Sequence, residues 1–144
     1  GKGVLTVDAP MVQGCSGSMA EAGLVELGTI SVSSGMELGH IVVVALDGKP
    51  LGESGRMLLQ VMSEERETGR EVELVGAGGV KRIVSLGGDP WQLRELGGVV
   101  RFRRPDAAGL LVKPLDFNGY PVGAVQHGGE IRLKPETLYY LITL

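Results

Sequence analysis

Aromatic side chains are scarce: one Trp, two Phe and three Tyr make up 4% of the 144 residues. Cysteine is scarcer still, with Cys15 alone, which excludes an internal disulfide framework and a Cys-based metal cluster. The two histidines, His40 and His127, lie far from Cys15 and from each other, so no transition-metal site is expected. No apolar run approaches the ~20 residues a membrane-spanning helix needs, so no membrane partner is expected. Fourteen Lys and Arg against seventeen Asp and Glu give a formal charge of −3. That balance supplies no concentrated basic surface for nucleic acid.

Glycine is plentiful instead, at 24 residues, or about one in six, where ~7% is usual. No Gly-X-Y period accompanies it, which excludes collagen. The glycines punctuate short apolar segments, the pattern of many tight turns. Strands are predicted at Val4–Val7, Gly28–Val32, His40–Leu46, Glu71–Val75, Val80–Leu86, Trp91–Glu95, Val99–Arg103, Leu110–Leu115, Glu130–Leu133 and Leu138–Leu144. His40–Leu46 (HIVVVAL) is apolar on consecutive positions, as in a strand covered on both faces. Arg56–Met62 fits helix or strand on pattern alone, its neighbours favouring strand. Gly14–Gly23, Gly87–Pro90 and Glu64–Glu67 read as loops or turns, the last as a solvated carboxylate cluster. About ten short strands at this spacing predict an all-β fold, an antiparallel β-sandwich of immunoglobulin-like or jelly-roll-like type. One domain is expected over residues 1–144. The start at Gly1-Lys2-Gly3, without Met or an apolar leader, is expected of a piece excised from a longer protein or of a processed terminus.

Three motifs suggest chemistry. Gly76-Ala77-Gly78-Gly79 lacks the third glycine of a dinucleotide fingerprint, having Lys81 there, and is expected to be a hairpin loop. Gln13–Ser18 surrounds Cys15 and Ser16 with small residues, but Gly14-Cys15-Ser16-Gly17-Ser18 is not a nucleophile elbow. Asp116-Phe117-Asn118-Gly119 lacks the remaining ligands of a calcium loop and reads as a turn. No two carboxylates are placed by the sequence as an acid–base pair. No catalytic residue, metal or other cofactor is therefore assigned.

Sugars are bound in β-sandwiches by rings that stack on pyranose faces. Phe102 alternates with Arg101 and Arg103 and is expected to point inward, the arginines outward. Adjacent Tyr139 and Tyr140 must face opposite sides. Trp91, Phe117 and Tyr120, beside turn sequences, are the rings expected to be exposed. Arg101, Arg103 and Arg104 form a local basic patch, read either as ion pairing or as contact with an acidic glycan.

Three stretches carry a resemblance: Val7–Gly14 (VDAPMVQG), Val42–Leu59 (VVVALDGKPLGESGRMLL) and Leu115–Tyr120 (LDFNGY). Together they resemble the C-terminal β-sandwich accessory region of multidomain TIM-barrel glycoside hydrolases. The resemblance implies a secreted, non-catalytic partner of a polysaccharide-degrading enzyme. Its expected partners are a polysaccharide or oligosaccharide and the tethered catalytic domain, with no nucleic acid and no membrane. Its catalytic carboxylates would sit on the barrel, so none is transferred here. The expected function is that of a carbohydrate-binding accessory module, raising local substrate concentration through Trp91, Phe117, Tyr120, Arg101 and Arg103. The few rings suit soluble, single-chain glycans better than a crystalline surface. The alternative is a purely structural sandwich that buttresses the barrel, marked by an apolar patch that the full enzyme covers. A small stand-alone hydrolase is the remaining alternative.

Overall fold

The computed structural model describes residues 3–76 and 78–144. Among them are fifteen strands: β1 (Val4–Ala9), β2 (Val12–Gly17), β3 (Leu24–Glu26), β4 (Ile30–Ser33), β5 (Gly39–Ala45), β6 (Arg56–Ser63), β7 (Glu65–Thr68), β8 (Glu71–Leu74), β9 (Lys81–Ser85), β10 (Gly88–Leu93), β11 (Val99–Phe102), β12 (Leu111–Leu115), β13 (Gln126–His127), β14 (Glu130–Arg132) and β15 (Tyr139–Thr143). The only α-helix among the described residues is α1, the single turn Met19–Ala22. The all-β antiparallel sandwich expected from the sequence is the fold observed.

The chain separates into two compact units, Gly1–Ser63 with Glu95–Leu144, and Glu64–Arg94. The first holds a larger sheet of seven strands, in the order β1-β2-β5-β6-β15-β12-β13, and a smaller one of four, β14-β11-β4-β3. In the larger sheet the register aligns Ile41 with Val61, Val43 with Leu59, Leu59 with Tyr140 and Ile142 with Val112. These side chains form the inner face and are fully buried. The smaller sheet contributes Ile30, Val32, Val100, Phe102 and Ile131, which occupy alternate positions on three strands and are buried too. Removing this apolar area from water drives the layers together, at about 25 cal/mol per Å².

The second unit consists of two antiparallel pairs, β10 with β7 and β8 with β9. The β8–β9 hairpin closes with Val75 N–H donating to Val80 at 2.8 Å. Of the glycine-rich loop expected there, Ala77 lies outside the described residues, as do Gly1 and Lys2 at the N-terminus.

Several expected boundaries are corrected. Gly14–Gly23 is not a loop: its first residues belong to β2, paired on both sides by β1 and β5, and α1 follows. Small residues suit β2 because its backbone is closely approached; a Cβ on Gly14 would lie 2.5 Å from the Ile41 carbonyl. Gly88-Asp89-Pro90 lies within β10 rather than in a turn, and Glu65–Thr68 is its strand partner. Arg56–Met62 is a strand.

Candidate functional site

The two sheets of the larger unit differ on their outer faces. The smaller sheet turns Glu26, Ser33, Arg101, Glu130 and Arg132 outward, with Leu24 and Val99 at one end. This is the usual apolar-in, polar-out alternation. The larger sheet breaks it. Its outer face carries Val42 and Val44 of β5, Leu58 and Met62 of β6, and Tyr139 and Leu141 of β15. All six are half-buried. The face continues to the edge strand β1, where Leu5 and Val7 are exposed. Its few polar members include Gln60, Lys113 and a Ser16–His40 pair, whose Oγ and Nδ1 are 2.6 Å apart.

The turn after β12 presents two rings. Asp116 Oδ1 accepts hydrogen bonds from the N–H groups of Asn118 and Tyr120, both at 2.9 Å. Asp116 N–H donates to the Tyr120 carbonyl at 2.9 Å, and Gly119 N–H to the Asp116 carbonyl at 3.1 Å. Gly119 takes φ +86°, which a side chain would resist. The Asp-x-Asn-Gly sequence is thus a self-bonded turn, and it holds Phe117 at 75% and Tyr120 at 68% exposure. Trp91 is also exposed, but on β10 of the other unit.

The arginines divide differently from the basic patch expected. Arg101 Nε donates to Glu130 at 2.9 Å, holding that carboxyl below its ordinary range. Arg103 donates to Glu26 at 2.8 Å and to the Leu27 carbonyl. Arg104 is no part of a surface patch: it is buried, donating to the Leu51 and Ser54 carbonyls at 2.9 and 2.7 Å and to both oxygens of Asp106.

That anchor holds one end of the Leu46–Arg56 connection. Asp47 accepts from Ser54 Oγ at 2.7 Å and from the N–H groups of Gly55 and Lys49. The Ser54 bond is the chief cause of its lowered pKa. Gly48, at φ +75°, lets the chain turn between them. The LDGKPLGESGR stretch is a structural knot.

Cys15 faces inward and is buried, which pushes its pKa up to about 11. A thiol so protonated is a poor nucleophile. Neither histidine is hydrogen-bonded to it, His40 pairing instead with Ser16. No group of three His, Cys, Asp or Glu side chains placed to hold a metal occurs among the described residues. No helix of the described residues is long and apolar enough to cross a membrane.

In the smaller unit, a groove of about 330 Å³ is lined by Glu64, Glu65, Arg66, Arg70, Val72, Lys81 and Ile83. Val72 and Ile83 are register partners on the β8–β9 hairpin. Lys81, two residues before Ile83, shares their face. The carboxylate of Glu64 takes Arg66 at 2.8 Å and Arg94 at 3.1 Å, and its pKa is lowered by Arg66 first and by Arg94 and Lys81 after it. The segment expected to be a loop is strand β7 from Glu65 on, and Glu64 and Glu67 of the expected cluster are ion-paired. Sequence reading missed this groove because it needs the β8–β9 register.

No known family profile, curated protein or solved structure matches the chain.

Proposed function

We propose that this chain is a non-catalytic accessory β-sandwich of a polysaccharide-degrading enzyme, seated against that enzyme's catalytic domain through the outer face of its larger sheet. The observation that carries this reading is the contrast between the two outer faces. A sheet face bearing Val42, Val44, Leu58, Met62, Tyr139 and Leu141 gains by being covered, while the ion-paired face of the smaller sheet suits water. The sequence resemblance supplies the identity of the covering partner.

Two methionines on one strand provide the test. Met57 is on the inner face and fully buried, whereas Met62 is on the outer face and half-buried. Mild peroxide oxidises accessible methionine to the sulfoxide. The isolated chain is expected to oxidise at Met62 and not at Met57, and the longer parent enzyme at neither. Equal Met62 oxidation in both would refute the docking.

A second reading, direct glycan contact, is favoured by the rigid turn that holds Phe117 and Tyr120 outward. The rings would stack on sugar faces, with Trp91 a separate contact on the smaller unit. Arg101 and Arg103 would contribute only by exchanging Glu130 and Glu26 for an acidic sugar. Affinity electrophoresis against β-glucans, xylans, mannans and uronates tests this, and unretarded migration on all of them would leave the structural role alone.

A further inference from the structure

The groove of the smaller unit combines an apolar floor with surplus positive charge. Val72 and Ile83 form the floor, with Lys81 on the same face. Three lining cations, Arg66, Arg70 and Lys81, stand against two lining carboxylates, Glu64 and Glu65. From outside the lining, Arg94 pairs with Glu64 and Glu67 with Arg70, and these two cancel, leaving the lining's single surplus positive charge. Arg70 meets its partner Glu67 only at 3.5 Å. Lys81 has no ion pair within 4.0 Å among the described residues. The chain as a whole is acidic, at −3, so this is a local reversal of sign. A volume near 330 Å³ is at the lower end of small-molecule sites, about that of one or two ring units.

We propose that this groove binds a saccharide carrying an anionic group, carboxylate or sulfate, with Lys81 and Arg66 meeting the anion and Val72 and Ile83 the C–H face of the ring. The choice of a saccharide rests on the accessory-domain reading; the preference for an anion rests on the groove itself. Arg66 can turn from Glu64 to a ligand because Arg94 continues to neutralise that carboxylate.

The test is an NMR titration of the whole chain with trigalacturonate, a sulfated galactose trimer and a neutral galactose trimer at low salt. Either acidic trimer is expected to shift the Lys81 and Ile83 amides saturably, the more effective one identifying the anion, while the neutral trimer leaves them unmoved. Lys81→Glu is expected to weaken acidic binding about tenfold. Glu64→Gln, which removes one of the two lining carboxylate charges, is expected to tighten it about threefold, a gain that misfolding cannot imitate. Equal shifts with the neutral trimer, no shift with any trimer, or unchanged affinity in Lys81→Glu would each overturn the proposal. None of these outcomes touches Met62 protection in the parent enzyme, so the docking reading stands or falls separately.

Discussion

Gln13 reaches from β2 of the larger sheet to Ile30 at the start of β4 in the smaller one, its Oε1 accepting the Ile30 N–H at 3.1 Å. The same oxygen accepts the Thr29 N–H at 2.8 Å, and Gln13 is buried. A lone buried amide thus satisfies two backbone donors that the end of β4 leaves without ladder partners. Gln13→Leu keeps the volume and removes both bonds. Leaving buried donors unsatisfied costs about 1–3 kcal/mol each, and relaxation toward water offsets part of it. A loss of about 2–4 kcal/mol is expected in urea unfolding, with the m-value unchanged. A loss under about 0.5 kcal/mol would mean that the bonds do not join the layers.

Arg104 is the second buried polar anchor, and it ties the strand exit at β11 to the Leu51–Ser54 loop. Arg104→Leu leaves two carbonyls without their charged donor, so a loss of about 2–4 kcal/mol is expected. Arg104→Lys is expected to recover less than half, since an ammonium cannot reach two carbonyls and bracket the Asp106 carboxylate together. Thermal unfolding of the three proteins at neutral pH measures both. Full recovery by lysine would show that charge alone matters there.

Much of the sandwich was legible in the sequence, for a local reason. Strand alternation fixed Phe102 inward between outward Arg101 and Arg103, and set Tyr140 opposite Tyr139. Elements held by pairing rather than composition escaped. β2, rich in Gly and Ser, is a strand because β1 and β5 flank it, and Glu65–Thr68 is one because β10 pairs with it. The outer apolar face did leave a signal. The continuous run in HIVVVAL predicted cover on both sides, and the structure supplies core on one side only. Arg104 gave none, since nothing in Arg103-Arg104-Pro105 says which guanidinium turns inward.

Acid should loosen the knot at Asp47. Hydrogen bonding, led by Ser54, depresses the folded pKa below the ordinary 3.8. A depressed carboxyl pKa contributes stability above the unfolded value and loses it as pH falls through the folded one. Glu64, Asp106 and Glu130 are depressed in the same direction, each chiefly by an arginine. The melting temperature is therefore expected to hold from neutral pH down to about 5 and to fall below about 4. Asp47→Asn should lower stability at neutral pH and flatten that fall. An unchanged acid slope in Asp47→Asn would remove this carboxyl from the account.

Cys15 gives the opposite sign. Burial raises its folded pKa from 9.0 to about 11, so its contribution is full below 9 and is lost as pH rises toward 11. At pH 8 the native thiol is expected to resist an aromatic disulfide reagent for hours and to react within seconds in concentrated urea. Stoichiometric labelling of the folded chain within minutes would show that the core opens at β2.

The turn at Asp116 separates glycan contact from folding. Phe117 and Tyr120 are exposed, so Phe117→Ala with Tyr120→Ala removes two rings and little core packing, and stability is expected to change by under about 1 kcal/mol. Asp116→Ala keeps both rings but deletes the acceptor of two backbone bonds, letting the turn sample other shapes. If ring stacking retards this chain on a neutral glycan gel, the double variant should migrate freely. Asp116→Ala should then fall between, because an unfixed turn must be ordered on binding. Retardation that survives removal of both rings would place any neutral-glycan contact elsewhere, with Trp91 the remaining exposed ring of the three.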